Sequence, residues 1–308
     1  MHRIAVIGAG QFGQNHCRVV RQSTRAQLTA VVDIDPSRAA IADFRELAGQ
    51  VDGAIVAAPT SAHAEIGCWL LEHGIDVLVE KPIAPDLESA DRLEAAAATH
   101  SRILQVGHLE RFNPAVIALE SRVTLPLFFE IHRLNVFSPR SLDVDVILDL
   151  MIHDIDIVLS LTGAEPEEIR AAGVSILSSK VDIANVRLQF PNGCVTNLTA
   201  SRVSTERVRK LRLFQPQQYC SLDYARQELL IFSVGADRQV AFEPVPVAKS
   251  EPLQLQFDAF LDSMETRKSP KTSGPRARQT LRIALAILDK IEEHSEVVSK
   301  SLASGWKL

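Results

Sequence analysis

Two short segments of this 308-residue chain contain side chains that could carry out acid–base chemistry on a hydroxyl group. Asp149 and His153 lie four positions apart in an apolar run with helical periodicity, so both project from one helix face. Imidazole can accept a proton near neutral pH, and the ammonium of Lys81 in Glu80-Lys81-Pro82 could stabilise a developing alkoxide. These residue types suit alcohol oxidation. Each segment also has a structural interpretation, as a hydrogen-bonded histidine and as a solvated pair before a proline turn.

Oxidation also requires a hydride acceptor, and the N-terminal segment is suited to bind one. An apolar run leads into Gly8-Ala-Gly-Gln-Phe-Gly13, and a helix can follow at once. Gly8 permits a tight turn, Gly10 lets the backbone approach a pyrophosphate, and Gly13 lets the helix pack against the strand. A second apolar run ends at Asp33, where ribose hydroxyls need an acceptor. The combination predicts a site for the nicotinamide dinucleotide NAD.

The elements that must position these groups alternate between strand and helix in the first part of the chain. The patterns predict strands at 3–8, 28–32, 53–58, 76–79 and 102–106 and helices at 14–22, 62–73 and 86–100. This alternation predicts a parallel, doubly wound sheet whose carboxyl edge binds ligands. The segment between Asp33 and Gly53 has room only for a brief strand or turn and a short helix around Phe44.

The pattern changes after a helix that should begin at Asn113-Pro114, with Asn as the cap. Strand alternation over 127–136, helical periodicity over 146–162, several strands within 169–242 and helices at 252–267 and 275–294 follow. Pro191-Asn192-Gly193 predicts a hairpin turn. We therefore expect an α/β protein with an N-terminal Rossmann domain, residues 1–120. Residues 121–308 should form an α+β domain with an open, largely antiparallel sheet, and the C-terminal helix could pack back on the first domain.

Composition narrows the function classes. A net charge of −5 and a pI near 6.0 provide no attraction toward nucleic acid or an anionic membrane surface. No apolar run approaches the ~18 residues of a membrane span, and Met1 leaves no room for a cleaved leader before the first strand. The four cysteines, Cys17, Cys68, Cys194 and Cys220, form no C-x-x-C pair, and the acids and histidines show no metal-ligand spacing. We expect a cytoplasmic protein without a metal.

The full set of motifs resembles the Gfo/Idh/MocA family of oxidoreductases, which includes glucose–fructose oxidoreductase and inositol dehydrogenase. The matching segments are Gly8 to Gly13, Asp33, Ala57-Ala-Pro-Thr60 with His63, Glu80-Lys-Pro82, Gly107-His108 with Arg111-Phe-Asn-Pro114, and Asp149-x-x-x-His153. The resemblance implies hydride transfer from a secondary alcohol of a sugar, cyclitol or other polyol, or sugar nucleotide to NAD. It also implies a homodimer or homotetramer.

The resemblance assigns roles to individual residues. Lys81 and His153 would be catalytic, and Asp149 would assist at the substrate. Substrate-binding residues would be His108, Arg111, Asp149 and His153. Cofactor-binding residues would be Gly8, Gly10, Gln11, Phe12, Gly13, Asp33, Ala58, Pro59, Thr60, His63, Glu80 and Lys81, with Thr60 and Glu80 on the nicotinamide side.

One segment departs from the family pattern. Most members carry a longer helix between the positions of Asp33 and Gly53, so the wall beside the adenine ribose should be thinner here. We expect NAD to be preferred over NADP, because Asp33 would repel a 2′-phosphate. Arg38 is the nearest cation that could oppose this preference.

The substrate is the least determined feature. The segments Glu110–Pro114 and Asp149–Asp154 resemble the branch whose members oxidise C3 of UDP-N-acetylglucosamine. The basic run Arg207-Val-Arg-Lys-Leu-Arg212 could bind a sugar nucleotide or could form a solvated strand face. A catalytically silent dinucleotide-binding sensor or scaffold is the alternative function, and the presence of Lys81, Asp149 and His153 favours the enzyme.

Overall fold

The computed structural model describes residues 1–138, 144–235 and 237–303, which form two compact units. The first unit consists of Met1–Phe112 and Ser250–Leu281. The second unit consists of the described parts of Asn113–Lys249 and Arg282–Leu308. The N-terminal unit therefore includes a segment from late in the chain as well as the alternating strands and helices.

The first unit alternates between strands and helices. Its elements are β1 (His2–Ile7), α1 (Gln11–Gln22), β2 (Ala26–Val32), β3 (Gly53–Val56), α2 (His63–Glu72), β4 (Asp76–Glu80), α3 (Leu87–Thr99) and β5 (Leu104–Gly107). The five strands form a parallel sheet in the order β2-β1-β3-β4-β5, as the alternation predicts. Strands β3 and β4 are buried over their whole length, as expected for strands covered on both faces.

The abbreviated segment between β2 and β3 forms very little regular structure. A single parallel bridge joins Val32 to Ile41, and the Asp33 N–H donates to the Ile41 carbonyl at 3.1 Å. A short 3₁₀ turn follows at Phe44–Leu47. In the six-stranded Rossmann order another strand lies beside β2. Here that strand is reduced to one bridge, which explains the five-stranded sheet.

The second unit contains an eight-stranded sheet and helices. Its elements are α4 (Pro114–Glu120), β6 (Phe128–Val136), α5 (Ile152–Thr162), β7 (Glu168–Val174), β8 (Ile183–Gln189), β9 (Val195–Ser204), β10 (Val208–Gln215), β11 (Gln218–Asp223), β12 (Glu228–Val234) and β13 (Val240–Val245). The strand order is β13-β12-β11-β10-β6-β9-β8-β7. Only β6 and β9 pair in parallel among these strands, which confirms the open, largely antiparallel sheet.

The helices α6 (Pro252–Thr266) and α7 (Gly274–Ala303) end the described chain, and α7 continues beyond the predicted limit at His294. Apolar residues of α4, α5 and α7 pack on one face of the second sheet and form its core. The predicted helix start is confirmed, because the Asn113 side chain accepts from the Ala115 N–H and Pro114 occupies the first turn. The predicted hairpin turn is also confirmed, with Gly193 at φ +82° between β8 and β9.

The loop between β7 and β8 is held by a buried carboxylate. Asp182 is 0% exposed, and its Oδ2 accepts from the N–H groups of Ile176, Leu177 and Ser178 at 2.7, 2.6 and 3.0 Å. The Ser178 hydroxyl donates to Oδ1 at 2.8 Å. Burial alone would raise the pKa of Asp182, but these donors, led by the Leu177 and Ile176 N–H groups, lower it to about 2.

We predict that Asp182→Asn lowers the free energy of unfolding at pH 7 by ~2–3 kcal/mol, because hydrogen bonds to an ionised acceptor are stronger than neutral ones. The folded pKa of about 2 lies below the unfolded value of ~3.9. The wild-type carboxylate therefore stabilises the fold above the unfolded pKa and loses this effect as the pH falls toward the folded pKa. Urea unfolding at pH 7 and pH 3 measures both effects, with exposed Asp289→Asn as control. A variant with the wild-type acid sensitivity would contradict the assignment.

Candidate active site

The glycine loop after β1 leaves space for a ligand at one glycine only. Gly8 has φ +92°, and a Cβ there would lie 2.6 Å from the Ala57 carbonyl group. A Cβ at Gly13 would lie 1.8 Å from the Gly8 oxygen. In contrast, a Cβ at Gly10 would meet no described atom within 4 Å. Gly8 and Gly13 therefore serve close backbone packing, and Gly10 faces open space into which a pyrophosphate fits.

Asp33 follows β2 and lies against the glycine loop. Its Oδ2 accepts from the Ala9 N–H at 2.7 Å, and its Oδ1 accepts from the Asp35 N–H at 2.9 Å. The carboxylate is half-buried and retains acceptor capacity for ribose hydroxyls. Arg38 Nε lies 3.1 Å from the Asp35 carboxylate, and its side chain is 52% exposed. The residues at this edge thus fit the phosphate and ribose groups of a dinucleotide.

Ala58, Pro59 and Thr60 follow β3. The His63 ring contacts both this segment and the segment that follows β4. The His63 ring is 1% exposed, with Nε2 2.9 Å from the Ala58 carbonyl oxygen and Nδ1 3.0 Å from the Pro82 carbonyl oxygen. Burial lowers the pKa of His63, although the two carbonyls act in the opposite direction. The family resemblance implies a cofactor contact for His63, whereas the structure shows its ring nitrogens directed at the chain's own backbone.

Glu80 is the last residue of β4 and is 8% exposed. Its Oε1 lies 2.8 Å from His16 Nε2, and its Oε2 accepts from the Lys81 N–H at 3.3 Å. Lys81 is half-buried and is followed by a cis bond to Pro82. None of the sequence motifs indicated His16 as part of the site. Its position, three residues after Gly13, is the only signal that could have indicated it.

His108 and Arg111 follow β5 and are 1% and 4% exposed. The Arg111 backbone carbonyl accepts from Lys271 Nζ at 3.0 Å. The first unit therefore brings its predicted groups to one sheet edge, because the glycine loop, Asp33, Ala58, Lys81 and His108 each follow the carboxyl end of a different strand. This is the edge at which open α/β sheets bind ligands.

Asp149 and His153 belong to the second unit, and both are half-buried. Asp149 lies in a π-helical turn, Ile147–Met151, and His153 lies in the first turn of α5. The predicted helix is thus confirmed, with a wider turn that the periodicity did not indicate. Single π-helical turns occur frequently at functional sites. The structure places an acid and a possible base within consecutive turns of one helical segment.

A buried ion pair fixes the start of α5 to the sheet. Arg133 on β6 donates from Nε and Nη2 to the two oxygens of Asp154, each at 2.7 Å, and both side chains are 2% exposed. The Tyr224 hydroxyl lies 3.3 Å from Asp154 Oδ1. Asp154 directly follows His153, so the pair restrains the backbone that carries the candidate base. Asp154 belongs to the Asp149–Asp154 motif, whereas no sequence motif indicated its partner Arg133.

The basic run mostly forms a solvated strand face. Arg207, Lys210 and Arg212 are exposed, and Arg212 Nη1 lies 2.9 Å from Glu130 on the neighbouring strand. Arg209 is half-buried and pairs in register with Arg133, whose side chain faces the helices. Most of this basic run therefore forms the solvated strand face that was the alternative to sugar-nucleotide binding.

Among residues 1–138, 144–235 and 237–303, no group of three or more His, Cys, Asp and Glu side chains is arranged to hold a metal ion. No described helix is both long enough and apolar enough to cross a membrane.

The glycine loop yields a paired prediction. Gly10→Ala should change the free energy of unfolding by less than ~1 kcal/mol, because the new methyl group meets open space. It should weaken NADH binding ~10-fold or more, about 1.4 kcal/mol, by occupying the space of the pyrophosphate. Gly13→Ala should instead destabilise the fold by ~1–3 kcal/mol or more through overpacking. Urea unfolding and NADH fluorescence titration measure these effects. Unchanged NADH affinity in Gly10→Ala would show that the pyrophosphate does not approach this residue.

The chain is similar to known proteins along most of its length. Residues 2–108 match the family model for the oxidoreductase family with an NAD-binding Rossmann fold, and residues 120–215 match the GFO/IDH/MocA C-terminal domain. UDP-N-acetylglucosamine 3-dehydrogenase of Acidithiobacillus ferrooxidans is 36% identical over 94% of this chain and 97% of its own length. A solved structure of that enzyme matches with a TM-score of 0.89 at 35% identity, covering 95% of this chain and 98% of the other. An inositol 2-dehydrogenase of Pseudarthrobacter chlorophenolicus is 32% identical over 53% of this chain and 55% of its own. The chain belongs to the Gfo/Idh/MocA family of NAD-binding oxidoreductases.

Proposed function

We propose that this oxidoreductase transfers a hydride from a secondary alcohol of a sugar nucleotide to NAD, with C3 of UDP-N-acetylglucosamine as the first candidate position. The observation that carries the activity is the location of Lys81, which follows β4 at the same sheet edge as the glycine loop. The choice of substrate is supported by the 36% identical relative, which by its name is a UDP-N-acetylglucosamine 3-dehydrogenase. Inositol is the second candidate, supported by the 32% identical inositol 2-dehydrogenase.

In this mechanism the chain binds the cofactor, accepts one proton from the substrate and stabilises the negative charge that this leaves. The glycine loop and Asp33 would hold the pyrophosphate and ribose of NAD, whose nicotinamide accepts the hydride when bound. His153 would accept the proton of the substrate hydroxyl. The Lys81 ammonium would stabilise the negative charge that develops on the same oxygen. Asp149 would accept a second substrate hydroxyl or orient His153. The alcohol thus loses one hydride and one proton and becomes a ketone.

We expect NAD to be the better cofactor. The Asp33 carboxylate would accept hydrogen bonds from ribose hydroxyls and repel a 2′-phosphate. Arg38 is the cation that could reverse this preference, and its guanidinium is paired with Asp35.

The protein should act in the cytoplasm, where its four free cysteines, three of them buried, would stay reduced.

A partly exposed row of aromatic side chains on the second sheet supports self-association, with Phe214 37% and Phe242 56% exposed. Five aromatic rings, one from each of five adjacent strands, lie 4.8–5.8 Å apart in a continuous row. We name this row, Phe128, Phe214, Tyr219, Phe232 and Phe242, the aromatic ladder. Contiguous exposed apolar surface on a folded unit commonly marks an interaction site. The ladder would therefore be part of the contact in a homodimer or homotetramer.

The function is tested by following NADH formation across UDP-N-acetylglucosamine, other UDP-sugars, free sugars and inositols. We expect the highest kcat/KM with UDP-N-acetylglucosamine and NAD, and a lower value with NADP. A ketone at C3 in the product, detected by mass spectrometry and NMR, would establish the position. Tight NADH binding without turnover of any alcohol would instead support the sensor or scaffold function.

The catalytic roles are tested by substitution. Lys81→Ala should lower kcat ~10²-fold through loss of a preorganised cation. His153→Asn should lower kcat ~10²–10⁴-fold through loss of the proton acceptor. NADH affinity should remain near wild type in both variants, and exposed His294→Asn serves as control. If His153→Asn retains normal turnover, another group accepts the proton.

The association proposal is tested by light scattering coupled to size-exclusion chromatography. Phe214 is 37% exposed and lies within the ladder, so Phe214→Glu should preserve the fold and shift the oligomer toward monomer. A glutamate on an exposed part of α7, Lys290→Glu, should leave the assembly unchanged. A wild-type monomer at micromolar concentration, or a Phe214→Glu oligomer of unchanged size, would contradict the role of the ladder.

A further inference from the structure

Three buried ionisable side chains lie close to Lys81, and the proposed mechanism does not use them. His16 is 0% exposed, His63 is 1% exposed and Glu80 is 8% exposed. They come from three different elements, α1, α2 and β4. Burying ionisable groups costs free energy unless they are paired, so their presence at one place needs a reason.

Glu80 is restrained from three directions. His16 contacts its Oε1 at 2.8 Å, and the Lys81 N–H donates to its Oε2 at 3.3 Å. A Cβ at Gly107 would lie 2.6 Å from Glu80 Oε1, so β5 also packs closely against the carboxylate. The carboxylate therefore has little freedom to move, and it contacts the backbone of the proposed catalytic lysine directly.

The other side of Lys81 is restrained by the second histidine. His63 Nδ1 lies 3.0 Å from the Pro82 carbonyl oxygen, and its Nε2 lies 2.9 Å from the Ala58 carbonyl oxygen. Burial lowers the pKa of His63, and the hydrogen bonds to the Ala58 and Pro82 carbonyls and the attraction to Glu80 oppose that lowering. The residues immediately before and after Lys81 are thus each bound by a buried imidazole.

His16 also connects this cluster to the glycine loop. The Phe12 ring packs edge-on against the His16 ring with centroids 5.2 Å apart. Phe12 belongs to the loop that would hold the pyrophosphate, and His16 lies on the helix that begins there. The chain of contacts therefore runs from the glycine loop through His16 and Glu80 to Lys81.

We propose that His16, Glu80 and His63 are positioning residues that hold Lys81 in the orientation required for alkoxide stabilisation. The inference rests on the proposed function, because it requires Lys81 to act in catalysis. A displacement of a catalytic group by about 1 Å can lower the reaction rate ~10²-fold. Loss of either histidine should therefore lower kcat while the glycine loop continues to bind the cofactor.

The test is a double-mutant cycle between His16 and Lys81, with kcat expressed per NADH-binding site. His16→Leu removes the contact to Glu80 and should lower kcat ~10-fold or more in the wild-type background. In the Lys81→Ala background the same substitution should cause less than a ~2-fold further loss, because residues that act as a unit are not additive. His16→Gln keeps a donor toward Glu80 and should restore kcat to within ~3-fold of wild type. His63→Leu should show the same dependence on Lys81.

A second readout does not require turnover. In protein labelled with ¹⁵N-lysine, the Lys81 ammonium signal is assigned by its loss in Lys81→Ala. It should shift or broaden in His16→Leu and return in His16→Gln. Val20→Ala, a buried change on the same helix, controls for lost stability and should lower the unfolding temperature without moving this signal or kcat.

The outcomes separate this inference from the proposed function. If Lys81→Ala leaves kcat unchanged, the role of Lys81 in the proposed function fails. If Lys81→Ala lowers kcat but His16→Leu has the same effect in both backgrounds, the positioning inference alone is overturned. A normal kcat and an unmoved lysine signal in His16→Leu would also overturn it.

Discussion

The glycine loop depends on a close approach of three backbone segments with no side chain between them. Gly8 packs against the Ala57 carbonyl group after β3, and Gly13 packs against the Gly8 oxygen at the start of α1. Any Cβ at either position would force these segments apart. The close packing of β1, β3 and α1 therefore fixes the carboxyl edge of the first sheet. The residues that follow the neighbouring strands are positioned by the same sheet.

Both residues proposed to do chemistry stand next to a buried, paired carboxylate. Lys81 follows Glu80, which is paired with His16, and His153 precedes Asp154, which is paired with Arg133. In each case the partner comes from a different element of the same unit. Removing one member of a buried pair of this kind strongly destabilises the fold, because the other member stays buried without its partner. The paired carboxylate thus restrains the backbone of the neighbouring residue.

Local patterns predicted most of the elements but few of these partners. The β1 run with its glycine spacing, the Asn113-Pro114 cap and the Asn192-Gly193 turn are determined by neighbouring residues, so they could be read from the sequence. His16 and Glu80 are separated by 64 positions, and their contact exists only after α1 packs on the sheet. The π-helical turn around Asp149 was not predicted either, because the apolar spacing of 146–162 also fits an ordinary α-helix. Tertiary packing decides both features.

The contact between Asp33 and Ala9 limits how the cofactor preference of this chain could change. Binding of a 2′-phosphate would favour the exchange of the acid after the second strand for a small or basic residue, because a carboxylate repels the phosphate. Here the same carboxylate is the acceptor for the Ala9 N–H, inside the loop that would hold the pyrophosphate. Such an exchange would leave that amide without its acceptor and would loosen the phosphate site together with the ribose site. Natural or laboratory evolution toward NADP would therefore need a compensating acceptor elsewhere before the acid could be lost.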